Sequence, residues 1–571
     1  MKTHAALLND VSLDAPWELV VKFSKTPRWK PKDVNKGADM IVDRLKKHGV
    51  PVTVYEPSIY LSIPFEASVS VGRKTMRAKP PAYSVSVPDG VSAPLAYVPA
   101  VYSASIGTLF HKNQKDKKPQ DLKGKIVISE GFAFPGKIRE FELAGAVGVI
   151  AVNPGVDIHW GICTSIWGTP DLDDLPRKPG IPVLAVNNPD GNELIKLAGT
   201  GKKVKIATRL EEGWYKQKVP VVEIRGKEEP EKFVLLHGHY DSWDVGVGDN
   251  ATGDACMLEV ARVLAKHAGA LKRSVRIAWW PGHSTGRYAG STWFADHFAL
   301  DLDENCIAQI NCDSPGCRWA TLFKDVSWMK EAEGYAQSVI KAVCGLDSHG
   351  ERPHRAGDYS FNNIGISSML MLSSTMPDDL RAKKGYYTVG GCGGNIAWHT
   401  ENDTIEIADK EILLRDMKVY LEMVASLADA DVYPFDWRAQ VAEFAETLEG
   451  YQKAAGSAFD LSPTKAAIAS LARTLAGFYD GVAKGKVPAK AANRVILKLA
   501  RILIPVNYTK VPRFKHDAAL PMSPLPQLLT ATELKGLSKT ELGFAQTQLV
   551  RGQNRTIAAL REAEALVASA G

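Results

Sequence analysis

The densest concentration of chemically useful side chains in this sequence is HGHYDSWDVGVGDNATGDA, residues 237–255. Side chains alternate faces along a strand, so His237, His239 and Asp241 point the same way. An imidazole can offer one ring nitrogen to a cation while a neighbouring carboxylate orients it through the other. Asp249 follows in a glycine-punctuated loop just before a helix, where a carboxylate can bridge two cations. Taken singly, Asp249 reads as a helix N-cap and His239 as a satisfied core histidine. Together, at a strand end, they point to a metal. Asp313 ends the apolar run IAQINC ahead of the turn SPG. His399 lies in the glycine-rich YYTVGGCGGNIAWHTENDT, with Asp403 downstream where it could orient the ring. His239, Asp249, Asp313 and His399 are therefore the candidate ligands. His237 adds a titratable group nearby, although a buried structural histidine is an equal reading.

These residues meet only if folding sets their strands side by side. KFVLLHGHYDS, SVRIAWW, CIAQINCDS and SSMLMLSS read as strands, with helices expected over 252–267, 291–298 and 331–344 between them. Alternation of strand and helix implies a largely parallel sheet covered on both faces, with ligand sites beyond the carboxyl ends of its strands. Upstream, a helix over 37–48 precedes the strand-like PVTVYEPSIYLSI. From residue 87 the texture changes to short strands and turns, including LKGKIVIS, GVIAVN and IPVLAVN, with helices over 137–145 and 190–198 and a long loop over 154–180. Beyond residue 433 the chain is helical, with candidate helices over 438–454, 463–484, 489–503, 531–543 and 547–568.

A chain of 571 residues is too long for one core. Apolar content of 45% and charged content of 23% are those of a globular protein, and the net charge of +6 is spread thinly. The basic run over 111–118 is short and mixed, and reads as a solvated loop, so no nucleic-acid partner is expected. No stretch approaches a membrane span, and the N-terminus lacks a signal-peptide core. Seven irregularly spaced cysteines do not form a disulfide framework. The expected location is cytoplasmic, with no membrane partner.

HYDSWDVGVGDNATGDA, the NCDS turn and WHTENDT resemble the co-catalytic zinc peptidases that include zinc aminopeptidases and glutamate carboxypeptidase II. LKGKIVISEGFAFPGKIREFELAGAVGVIAVNPG resembles the protease-associated domain inserted in larger members. LIPVNYTK, ALPMSPLPQLL and LVRGQNRTIAALREA resemble the helical dimerisation domain shared with transferrin receptor. The resemblance implies an α/β fold, a zinc-peptidase-like mixed, largely parallel sheet flanked by helices. It implies a catalytic domain over 1–86 and 218–432, an inserted β-rich protease-associated domain over 87–217 and a helical dimerisation domain over 433–571, hence a homodimer. One metal would take His239, Asp249 and Asp313; the second would share Asp249 and take His399, with Asp241 supporting His239. Zn2+ is the expected cofactor, one or two ions, with Mn2+ or another divalent metal as alternative.

The sequence departs from the family at one place. Family peptidases carry two adjacent glutamates after the strand that here reads SVRIAWW, the first a general base and the second a ligand. This chain reads WWPGHSTGRYAGSTWFAD, so His283 and Ser284 occupy those positions within a residue, in a segment one residue longer. A serine hydroxyl is a poor zinc ligand. His283 can replace a ligand or serve as the acid/base, since imidazole titrates near neutrality; the second role is preferred.

Relatives that prefer acidic C-terminal residues use an arginine from the inserted domain; here Phe134 stands near that place, with Phe132, Trp160, Trp167 and Trp398 around it. A small aromatic or apolar amide, or a short peptide-like substrate, is expected. Arg287, Arg355, Asp358, Tyr359, Trp398 and Phe134 are the candidate substrate contacts. The expected function is metal-dependent hydrolysis of an amide. A deaminase, metabolite amidohydrolase or lyase on the same scaffold, or an inactive binding protein, are the alternatives.

Overall fold

The structure, a computed structural model, describes residues 3–109 and 121–569; the basic run over 111–118 lies outside them. A six-stranded sheet carries the strand ends of interest, in the order Thr53–Tyr55, Val219–Ile224, Arg273–Trp280, Glu229–His239, Cys306–Asn311 and Ser367–Met369. The last four strands run parallel to one another, and Val219–Ile224 pairs antiparallel with both Thr53–Tyr55 and Arg273–Trp280. Glu229–His239 lies between Arg273–Trp280 and Cys306–Asn311, and its half from Phe233 onward is buried throughout. That burial on both faces explains its unbroken FVLL run. Its register pairs His239 with Trp280 and His237 with Asn311. The segments after His239, Trp280 and Asn311 therefore emerge together at one edge.

A seven-stranded sheet forms a second layer, in the order Lys74–Ala78, Ser58–Val71, Lys203–Lys216, Val87–Tyr97, Ile126–Glu130, Gly148–Val152 and Val183–Val186. Ser58–Val71 and Lys74–Ala78 thus join this sheet although they precede residue 87. Four long helices, Trp437–Ala455, Ser462–Ala483, Ala489–Tyr508 and Lys539–Ala568, follow the α/β layer. Their buried faces continue the core of the six-stranded sheet, so Leu471 and Leu560 belong to the same apolar cluster as Leu236 and Ile277. Trp437 anchors the junction, fully buried with its indole N–H on the carbonyl of Ile496 at 3.1 Å.

Several elements differ from expectation, each for a local reason. The helix expected over 37–48 begins earlier, at Pro31–Lys47, because proline suits the first helical turn. The strand read in SSMLMLSS stops at Met369, since Leu370 turns into the left-handed region (φ 63°) and its N–H bonds Ser327. The helix expected over 531–543 does not form as a separate element. A short 3-10 turn, Leu529–Thr532, leads to a bend at Gly536, and a capping box between Ser538 and Glu541 then opens one continuous helix, Lys539–Ala568.

Candidate metal centre

His239 ends its strand fully inside the protein. Its Nδ1 lies 2.8 Å from the backbone carbonyl of Asp241, and a carbonyl only accepts, so Nδ1 carries the proton and Nε2 a lone pair. His399 repeats the arrangement from another segment, with Nδ1 donating to the carbonyl of Trp160 at 3.1 Å. The two Nε2 atoms flank one carboxylate. Asp249 Oδ1 is 3.0 Å from Nε2 of His239, and Oδ2 is 3.2 Å from Nε2 of His399. Asp313 Oδ2 lies 3.6 Å from Nε2 of His239. His239 Nε2 and Asp249 Oδ1 are buried and make no hydrogen bond despite their closeness.

Acceptor lone pairs converging on a common point suit ligands of a cation, because uncompensated buried polar atoms are costly. The electrostatics agree. Burial disfavours a charged His239, yet the carboxylates of Asp249 and Asp313 outweigh it and hold the imidazole well above its ordinary value. Burial likewise raises Asp249, while His239 and His399 pull it well below the carboxylate range. The pocket draws positive charge, and two imidazoles with two carboxylates form a donor set that fits Zn2+ or a similar divalent ion.

The supporting groups differ from those the sequence suggested. The Asp403 carboxylate does not touch His399. It accepts the backbone N–H groups of Gly248 and Asp249, at 2.6 and 2.9 Å, and so fixes the loop that carries Asp249. Burial, with Asp249 adding to it, pushes Asp403 up to about 7 against the pull of the Gly248 N–H. Asp241 supports His239 through its carbonyl; its carboxylate accepts the N–H groups of His283 and Ser284, at 3.0 and 2.9 Å. Asn250 ties the strand ends together, giving its amide N–H to the carbonyls of His239 and Cys312 and accepting the N–H of Ser314. The glycine at 253 is required here, because a Cβ would sit 2.2 Å from Asn250 Oδ1.

His283 stacks on His239, with ring centroids 3.8 Å apart. Its Nδ1 is 2.8 Å from Asp358 Oδ2, which leaves Nε2 as the free nitrogen. Ligand atoms of His239, His283 and Asp313 lie within 4.8 Å of one another. Asp358 is fully buried and also accepts from Ser291 Oγ at 2.7 Å. Burial raises its pKa, but His283 beside it brings the net value below the ordinary one. Asp358 is thus a partner of His283 and not the substrate contact expected. Ser284 reaches Asp241 through its backbone and does not line the cavity. His237 is displaced from the centre by its own partners: Trp280 Nε1–H donates to its Nδ1 at 2.9 Å, and its Nε2 meets Gln309 Oε1. Both ring nitrogens are occupied, and burial depresses its pKa to about 4.

A cavity opens over Asp249, His283, Asp313 and His399. Phe134, Phe132, Trp160, Ile162, Trp398 and Arg287 are among its walls. Trp398 stacks on His399 at 3.7 Å. Two expected contacts lie elsewhere. Tyr359 is fully buried among Ile106, Trp167 and Tyr288. Arg355 donates to the carbonyls of Asp517 and Ala518 beneath Trp167 and lines an adjoining cavity. Trp167 is likewise enclosed, its N–H on Ser360 Oγ at 3.0 Å. His159 went unnoticed in the sequence; it bonds the Trp398 carbonyl at 2.6 Å and the Tyr387 hydroxyl at 2.8 Å, holding the segment that presents His399.

Residues 221–424 match peptidase family M28, and residues 91–194 match the PA domain. Aminopeptidase YwaD of Bacillus subtilis is 26% identical over 341 residues, covering 57% of this chain and 64% of that protein. Carboxypeptidase Q of Xenopus laevis is 27% identical over 195 residues, covering 32% of this chain and 40% of that protein. The chain thus spans less than two thirds of either relative. Among solved structures, BSAP, a zinc aminopeptidase from Bacillus subtilis, superposes with a TM-score of 0.53 at 22% identity, over 74% of this chain and 97% of that one. An aminopeptidase from Aneurinibacillus sp. strain AM-1 gives a TM-score of 0.52 at 19% identity, over 74% and 95%. These likenesses show the fold of the α/β layer with its second sheet. Over residues 221–424 the chain is thus similar to peptidase family M28, and over residues 91–194 to the PA domain.

Proposed function

We propose that the protein is a metal-dependent hydrolase of an amide or peptide-like bond in a small, largely aromatic or apolar substrate. The observation that carries this reading is the Asp249 carboxylate held between the Nε2 atoms of His239 and His399, with Asp313 beside it. One zinc would be held by His239, Asp249 and Asp313, and a second by Asp249 and His399. When bound, such an ion supplies a Lewis acid that polarises a carbonyl and acidifies water. His283 replaces the glutamate base of the family: Nε2 takes the proton of the attacking water and passes it to the leaving amine. Water adds to the carbonyl carbon, the C–N bond breaks, and the products are a carboxylic acid and an amine. Asp358 keeps the proton on Nδ1, so that Nε2 is the atom that exchanges. The walls formed by Phe132, Phe134, Trp160 and Trp398 exclude water from the reacting amide.

This reading keeps three units, 1–86 with 218–432, 87–217 and 433–571, except that Ser58–Val71 and Lys74–Ala78 go with the second, whose sheet they join. It includes a homodimer through the helical unit, whose Phe544 is 72% exposed; light scattering at twice the chain mass tests that. Seven unpaired cysteines fit a reducing, cytoplasmic setting, and no helix among the described residues is long and apolar enough to cross a membrane. A zinc-loaded preparation assayed on a broad panel of N-acyl amino acids, dipeptides and aryl amides, beside His283→Ala, tests the activity. Hydrolysis that the variant loses supports it, and no turnover of any member refutes it.

A further inference from the structure

One buried cation faces the cavity without a counter-ion. The Arg287 side chain is only 5% exposed and lines the wall beside His283 and Tyr288. Its Nε makes no hydrogen bond, and among the described residues no carboxylate comes within 4.0 Å of its guanidinium. It lies 4.9 Å from the centre of the Tyr288 ring. Two other enclosed arginines are by contrast satisfied within the protein. Arg28 donates to the carbonyls of Tyr240, Val245 and Gly246, and Arg501 to those of Asp303, Gly365 and Cys306.

The backbone that presents Arg287 is constrained. Arg287 and Tyr288 both adopt left-handed conformations (φ 48° and 72°), which side-chain-bearing residues take up at a cost. The Arg287 carbonyl holds the Gly168 N–H at 2.6 Å, and Tyr288 OH receives the N–H of Gly357 at 2.9 Å. The turn is therefore pinned from two sides. Arg287 and Phe134 also line the adjoining cavity, whose charged residues include Arg352, Arg355 and Glu351. A guanidinium removed from water needs an anion or carbonyl partner. Here the open side belongs to the ligand.

We propose that Arg287 binds a carboxylate of the substrate, so that the amide cleaved is that of an N-acyl amino acid or of the C-terminal residue of a short peptide. The proposal rests on the hydrolase reading for its site of cleavage, but not for its binding chemistry. The paired hydrogen bonds of a guanidinium fix both charge and orientation of a carboxylate, and the aromatic walls take the acyl group.

Calorimetric titration of the zinc-loaded protein with 3-phenylpropionate and with 3-phenylpropionamide separates charge from shape. The wild type is expected to bind the acid about tenfold or more tightly than the amide. Arg287→Ala should bring the two within about twofold, and Arg287→Lys should keep part of the preference. Should Arg287→Ala fail to fold, judged by circular dichroism, Arg287→Gln serves in its place. The proposal is overturned if the wild type shows no preference, or if the preference survives loss of the guanidinium, in which case the metal takes the carboxylate. Hydrolysis of N-acetyl-phenylalanine and its carboxamide is read separately. Binding preference with no turnover of these or of any other member of the amide panel leaves the anion site standing and removes the hydrolase reading; turnover of both without preference does the reverse.

Discussion

Replacing Asp358 by Asn keeps the size of the side chain beneath His283 but removes its charge. In the native protein Asp358 Oδ2 receives Nδ1–H of His283 at 2.8 Å, and Oδ1 receives Ser291 Oγ–H at 2.7 Å, with all partners buried. A hydrogen bond to a charged group is worth about 1.5–3 kcal/mol. Asp358→Asn should therefore lower kcat by roughly 10- to 150-fold if that energy stabilises a positively charged His283 as it takes a proton. KM should change little, because Asp358 does not line the cavity. Steady-state kinetics, zinc content and thermal melting on the same preparations separate the two roles of His283. A fall in kcat at unchanged zinc stoichiometry identifies the acid/base. A fall in zinc affinity of similar size identifies a ligand. Unchanged kcat and unchanged zinc binding would refute the reasoning that Asp358 holds a working His283.

Three further outcomes follow from the packing. Asp403→Asn leaves one of the N–H groups of Gly248 and Asp249 without its acceptor, so zinc affinity should fall about 10- to 100-fold in a competitive chelator titration. Arg28→Ala strands the carbonyls of Tyr240, Val245 and Gly246 in the loop leading to Asp249; chemical denaturation should show a loss of about 3–5 kcal/mol. Burial raises the Glu331 carboxyl to about 7, above its unfolded value. Its contribution is fully present below the unfolded pKa and is lost as pH rises through about 7. Urea denaturation between pH 5 and 8 should show this decline in the wild type and a flatter profile in Glu331→Gln, differing by on the order of 3 kcal/mol at the alkaline end.

The four candidate ligands and the layered architecture were legible because they rest on local pattern. An apolar run such as FVLL ending in HGH marks a central strand and its carboxyl end, and glycines around Asp249 mark a loop able to approach a site. The supporting contacts were not legible, because they join segments far apart in the chain. Proximity in sequence suggested that Asp403 orients His399 and that the Asp241 carboxylate orients His239. In the fold a carbonyl from the second layer, that of Trp160, and the Asp241 carbonyl do so, while both carboxylates hold backbone N–H groups. Alternation put His237 on the face of His239, but its partners, Trp280 and Gln309, come from the two neighbouring strands. Asp358 reads as one polar residue in RAGDYSF, and only the fold brings it under His283, 75 residues away. The break before the last helix was placed too late, at 544–546, although Ser538 and Glu541 have the capping-box spacing that marks its true start.

The central claim is that His239, Asp249, Asp313 and His399 hold a divalent metal, with Asp249 common to both sites. Elemental analysis of zinc-incubated, gel-filtered wild type and Asp249→Ala tests it most directly, with circular dichroism confirming the fold of each. The account predicts one or two zinc ions retained per wild-type chain and loss of bound zinc in the variant. A wild type that emerges metal-free, or an Asp249→Ala protein that keeps the wild-type stoichiometry, would contradict it.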